Sequence, residues 1–175
     1  MPRTVFTIGH STRPWPEFLE ILQAHRIGAV ADVRQFPGSR RFPHFNAEAL
    51  SAALPAAGID YLPFRNLGGR RKPLENSPNA GWRHPAFRGY ADYMQTPEFA
   101  SGIEQLQSAA TIKPTAIMCS EAVPWRCHRS LIADAMLVRG WQVMDIFDQR
   151  QVKPHAITPF AVVSGTRIVY PLHHE

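Results

Sequence analysis

The feature that most constrains this chain is a regular exchange of periods. Short apolar or β-branched runs alternate with stretches whose apolar residues recur at helical spacing. "VFTI" (Val5 to Ile8) ends at Gly9-His10-Ser11, and Trp15, Phe18, Leu19 and Leu22 then follow a helical repeat. Pro14 and Pro16 are tolerated there only near a first turn. Gly28 suits a helix stop, and "AVADV" (Ala29 to Val33) reads as the second strand. Asn46 can cap a short helix carrying Leu50, Ala53 and Leu54, which Pro55 should end or kink. "IDYLPF" (Ile59 to Phe64) reads as a third strand, with Pro63 pointing to an edge or a strand end. Helical spacing returns at Tyr90, Tyr93 and Met94, and again at Phe99, Ile103 and Leu106. "TAIMCS" (Thr115 to Ser120) is the fourth strand. A helix from about Pro124 carries Leu131, Ile132, Ala135 and Val138 toward Gly140, and "QVMDIF" (Gln142 to Phe147) is the fifth strand. Arg167 to Tyr170 is a last candidate strand.

Such alternation implies right-handed βαβ units and a parallel sheet. The expectation is one α/β domain over residues 1–175: a mainly parallel sheet flanked by helices on both faces, in a Rossmann-like three-layer arrangement. A chain of 175 residues, 45% hydrophobic, is long enough for one well-buried core and short for two. Its first residues lead straight into a strand pattern rather than a secretory signal, and no apolar run approaches a membrane span. A cytoplasmic protein with reduced thiols is therefore expected, with no membrane partner, and this argues against a disulfide between its two cysteines.

The net charge of +5 favours anionic partners, and its placement says more than its size. Arg40, Arg41, Arg65, Arg70, Arg71, Lys72, Arg83 and Arg88 face only Glu48, Asp60 and Glu75 in the same region. Much of that excess falls in the aperiodic segment from Asn66 to Arg88, dense in glycine, proline and arginine. A loop of this length inside a compact domain is usually functional or disordered.

Ligands of open α/β sheets bind at the carboxyl ends of the strands. There the first strand delivers His10 and Ser11. The second delivers Asp32 and Arg34, followed by Ser39. The third leads to Gly68, Gly69 and Arg70, and the fourth to Cys119 and Glu121. The next helix opens with Arg126, Cys127, His128 and Arg129. His10, Asp32, Arg34, Cys119, Glu121 and His128 should accordingly meet on one rim. In "MCSEAVPWRCHR", arginines and helix-end amides would stabilise a thiolate. The layout is similar to the cysteine loops of phosphatases and sulfurtransferases, but the arginine comes later and Glu121 would repel phosphate. A zinc site from Cys119, Cys127, His128 and His10 matches no common structural spacing. The alternative readings are that both cysteines are buried small hydrophobes, that Asp32 and Arg34 only hold each other, that Glu121 pairs with Arg129, and that the glycine pair serves only a sharp turn.

Taken together, "TIGHS" (Thr7 to Ser11), "DVR" (Asp32 to Arg34), "PGS" (Pro37 to Ser39), "LGG" (Leu67 to Gly69), "MCSE" (Met118 to Glu121), "CHR" (Cys127 to Arg129) and "HAITPFA" (His155 to Ala161) resemble the bacterial and archaeal family known as domain of unknown function 488. The resemblance implies an α/β domain and names no activity or cofactor.

The function expected is an enzyme acting on an anionic substrate, a nucleotide or nucleic-acid component. Cys119 would be nucleophile or redox thiol, and Glu121 or His10 acid or base. Ser11, Asp32, Arg34, Ser39, Gly68, Gly69, Arg70, Arg126, Cys127, His128 and Arg129 would bind the substrate. The alternative is a binding or interaction module in which the basic rim and Trp82, Phe87 and Tyr90 grip single-stranded nucleic acid by charge and stacking. No cofactor, metal or oligomeric state follows from the residues.

Overall fold

The computed structural model describes residues 3–38 and 40–172. Strands β1 (Thr4–Gly9), β2 (Ala29–Asp32), β3 (Asp60–Pro63), β4 (Thr115–Cys119), β5 (Gln142–Ile146) and β6 (Val152–Pro154) form one sheet in the order β3-β2-β4-β1-β5-β6. Neighbours are parallel except β6, which runs antiparallel to β5. All four residues of β2 and all five of β4 are buried. Continuous burial rather than alternation is what a parallel strand covered on both faces shows. β3, with Pro63, lies at the edge as its proline requires.

The sheet separates two buried clusters. One takes Ile8, Val30, Ala116 and Met118 from the strands and packs them against Phe18, Ile21 and Leu22 of α1 (Trp15–Ala24) and Leu50 and Leu54 of α2 (Ala47–Ala56). The other takes Val5, Ala31, Ile117 and Val143. It packs them against α3 (Pro85–Tyr93), α4 (Pro97–Ile112) and α5 (Arg129–Leu137). Strand residues alternate between clusters because successive side chains leave opposite faces of the sheet.

Three departures from the sequence reading bear on the site. The expected helix from Pro124 is divided: Pro124–Arg126 forms one 3-10 turn, and α5 begins only at Arg129. Cys127 and His128 therefore sit on a corner. The segment after Asn66 is tied down although it lacks regular structure: buried Asp92 of α3 accepts from Leu74 N–H (2.8 Å), Ser77 Oγ (2.6 Å) and Asn79 Nδ2 (2.7 Å). Its last residues, from Pro85, are already helix, capped by His84. The tail strand β8 (Arg167–Val169) pairs with β7 (Val162–Ser164) in a separate hairpin rather than joining the main sheet.

Register sets the rim. Gly9 of β1 stands level with Cys119 of β4, and Asp32 of β2 with Met118 and Pro63. The polar residues that follow each strand thus emerge at one height.

Candidate active site

A cavity of about 890 Å³ opens over this rim. His10, Ser11, Arg34, Gly69, Arg70, Cys119, Glu121, Arg126, Cys127 and His128 line it. Among the residues expected to meet, only Asp32 stands back, buried behind Arg34 and lining a smaller cavity of about 290 Å³ with Tyr61 and Glu48. Gly68 and Arg129 lie beneath the surface, and Ser39 lies outside the described residues. Backbone strain gathers here as well. Ser11 (φ 53°) and Arg70 (φ 61°) line the cavity in the left-handed region, where non-glycine residues are held only by their surroundings.

The floor is built around Arg129, whose side chain is fully buried. Its Nη1 donates to Cys119 Sγ (2.9 Å) and to the Glu121 carbonyl, Nη2 to the Ala122 carbonyl (3.2 Å) and Nε to Thr7 Oγ1 (3.4 Å). The expected pairing of Arg129 with Glu121 thus runs through the Glu121 backbone, and its carboxylate side chain is left exposed at the cavity. Burial lowers the Arg129 pKa to about 10 and Asp145 opposes the shift, so the guanidinium stays charged at neutral pH. Gly9 makes the arrangement possible, since a Cβ there would stand 1.5 Å from the Glu121 carbonyl oxygen and 2.9 Å from Arg129 Nη1.

Behind Arg129 runs a buried polar chain. Thr7 Oγ1 donates to Asp145, and His155 bridges Asp145 (Nδ1, 2.9 Å) and Asp134 (Nε2, 2.9 Å). Asp134 also accepts from Thr158 Oγ1 (2.7 Å) and Tyr170 Oη (2.9 Å). Burial alone would depress the pKa of His155, but the two carboxylates outweigh it and raise it to about 9. Two carboxylates and two cations are thereby balanced in the interior, as buried charges require.

The two cysteines are brought together: Cys119 and Cys127 face each other with their Cα atoms 7.2 Å apart, just beyond the usual span of a disulfide. The corner at residues 124–128 is what turns Cys127 back to Cys119. The Arg129 N–H also points at Cys127 Sγ (3.5 Å), and His128 Nδ1 lies 3.6 Å from it. His128 Nε2–H donates to the Val33 carbonyl (2.9 Å), so Nδ1 faces Cys127 as an acceptor. Burial holds its pKa down near 4, with Arg129 and Arg71 assisting.

His10 is also neutral. Its Nδ1–H donates to the Ser11 carbonyl (2.8 Å), it stacks on Phe45, and its Nε2 accepts from Arg34 Nη1 (3.3 Å). Burial, aided by Arg34, lowers its pKa to about 4. Asp32 grips Arg34 through Nε (2.8 Å) and Nη2 (2.7 Å) and is braced by Tyr61 Oη (2.6 Å). Asp32 therefore aims Arg34 and stands outside the main cavity. Gly68 and Gly69 serve close packing: a Cβ would stand 2.9 Å from Gln35 Cβ at the first and 3.1 Å from His128 Nδ1 at the second.

The aromatic residues are redistributed. Tyr90 is buried and donates to the Leu67 carbonyl (2.8 Å), and Trp82 packs on Phe160 and Tyr170. Phe87 alone of the expected trio reaches the cavity, which Phe36 and Trp125, each 64% exposed, flank instead. Arg70 lies over the Phe36 ring at 5.2 Å. The internal chain from Thr7 to Asp134 also went unread, although Asp134 inside "LIADAML" and Asp145 inside "QVMDIF" are carboxylates in otherwise apolar runs. Among the described residues no three histidine, cysteine or carboxylate side chains gather to hold a metal ion, and no helix is long and apolar enough to cross a membrane.

No curated protein and no solved structure matches the chain. A family model, that of domain of unknown function DUF488, matches residues 14–136, which include both cysteines, Arg34 and Arg129. "TIGHS" and "HAITPFA" fall outside the matched residues. A match over more than half of the chain shows that it belongs to the DUF488 family.

Proposed function

We propose that this protein is an enzyme that uses the Cys119 thiolate, when reduced, on an anionic substrate such as a nucleotide or nucleic-acid component. The observation that carries this reading is the buried Arg129 guanidinium, 2.9 Å from Cys119 Sγ on the floor of a cavity walled by Arg34, Arg70 and Arg126. A neighbouring cation stabilises a thiolate over a thiol. Arg34, aimed by Asp32, together with Arg70 and Arg126 would hold a phosphate or carboxylate. The exposed Glu121 carboxylate is the acid or base. His10, neutral and spent on Arg34, orients that arginine rather than moving a proton.

The test is alkylation of Cys119 in the Cys127→Ser variant. The rate should already be high near pH ~7 and should be slowed by adenosine monophosphate, whereas an ordinary thiol accelerates only toward pH ~8.5. A rate that rises only in that alkaline range would remove the nucleophile. The exposed Phe36 and Trp125 favour one second reading, a non-catalytic module that stacks the bases of a single strand. Affinity for a single-stranded oligonucleotide that falls steeply with salt, without dependence on Cys119, would select it.

A further inference from the structure

We infer that Cys119 and Cys127 work as a redox couple, in which Cys119 attacks an anionic low-molecular-weight disulfide and Cys127 resolves the adduct. The inference rests on Cys119 as the nucleophile proposed above and adds the second thiol and the chemistry of its reaction partner.

The two residues meet across eight positions of chain, and both belong to the buried core yet touch the cavity floor, Cys127 at 6% exposure and Cys119 at 1%. Their surroundings are unequal. Cys119 receives the Arg129 guanidinium, whereas Cys127 meets a backbone N–H and the acceptor nitrogen of a neutral imidazole. An exchange couple needs this inequality: the cation makes Cys119 the better attacking and leaving thiolate, while His128 Nδ1 can accept the hydrogen of the Cys127 thiol. The walls describe the partner. Arg34, Arg70 and Arg126 suit carboxylates. Oxidised glutathione, a disulfide of carboxylate-bearing peptides, has this chemistry.

The step balances as thiol–disulfide exchange. The Cys119 thiolate attacks one sulfur of oxidised glutathione, forming a mixed disulfide and expelling one glutathione thiolate. The Cys127 thiol, its hydrogen facing His128 Nδ1, loses its proton to solvent and attacks Cys119 Sγ. The Cys119–Cys127 bond forms and the second glutathione thiolate leaves. The protein dithiol is oxidised, one disulfide is reduced, and the two protons end on two glutathione thiols.

The experiment adds oxidised glutathione to the fully reduced protein and follows released thiol and intact mass. Wild type should release two equivalents of glutathione per chain and end with an internal disulfide and no adduct. Cys127→Ser and Cys127→Ala, checked for folding by circular dichroism, should stop at a glutathione adduct on Cys119. If Cys119 is alkylated rapidly but wild type keeps the adduct or fails to react, this inference falls and the nucleophile reading survives. If Cys119 is slow toward both reagents, both fall.

Discussion

The interior bridge at His155 makes a quantitative prediction about pH. Its side chain is only 7% exposed and lies between Asp134 and Asp145, so solvent screens it little. These carboxylates raise its pKa from 6.5 to about 9. A group raised on folding contributes stability that is fully present below its unfolded pKa and lost as pH climbs through the folded one. The window is therefore pH 6.5 to about 9. At ~1.4 kcal/mol per pH unit, the contribution is roughly 3 kcal/mol, a large share of the ~5–15 kcal/mol that holds a typical protein folded. Urea unfolding of the protein, with the two cysteines in the same redox state at every pH, should show stability falling by about this amount across the window. Histidine NMR should show one imidazole still protonated at pH ~8, where an ordinary histidine is neutral. A flat stability profile over the window, with every histidine titrating near its ordinary value, would refute the charged bridge. It would also undo the argument for how Arg129 is balanced beneath Cys119.

The acid limb should mirror this. His10 and His128 are held near pKa 4 by burial, so the unfolded chain takes up their protons first. Stability should fall as pH drops from 6.5 toward 4, and a profile unchanged by replacing both with glutamine would count against it. Gly9→Ala should destabilise by about 3 kcal/mol, the upper end of overpacking costs, because the added methyl meets backbone and a buried guanidinium. Thermal melts would show it, and an unshifted melting temperature would contradict the close approach. Asp92→Ala should cost about 2–3 kcal/mol by leaving the buried Asn79 amide without its acceptor. It should also open the 74–79 segment to limited proteolysis, and cleavage no faster than in wild type would show that something else fastens it.

Much of the rim could be read from the chain because two local rules combine. Strand runs bounded by glycine or polar residues were recognisable, and a parallel sheet presents its strand ends together. His10, Arg34, Cys119 and His128 followed from their positions alone. The edge placement of β3 was equally local, since proline cannot donate to a ladder. Roles that depend on what lies opposite a side chain were not readable. Trp82 and Tyr90 have the composition of a stacking platform, yet they pack into the core, while Phe36 and Trp125 stand at the cavity. The glycine pair was expected to bind substrate or to make a sharp turn, and what could not be read is its close packing against Gln35 and His128.

What the sequence determined is the alternation of elements, and with it which residues reach the carboxyl ends of the strands. The tertiary structure alone decided that a corner at residues 124–128 returns Cys127 to Cys119. It alone joined Thr7, near the start of the chain, to Asp134, Asp145 and His155, near its end, behind Arg129. The physical reason is range. Periodicity and turn chemistry act over a few residues, whereas the state of a buried charge or thiol is fixed by whichever distant groups the packed core brings within hydrogen-bonding distance.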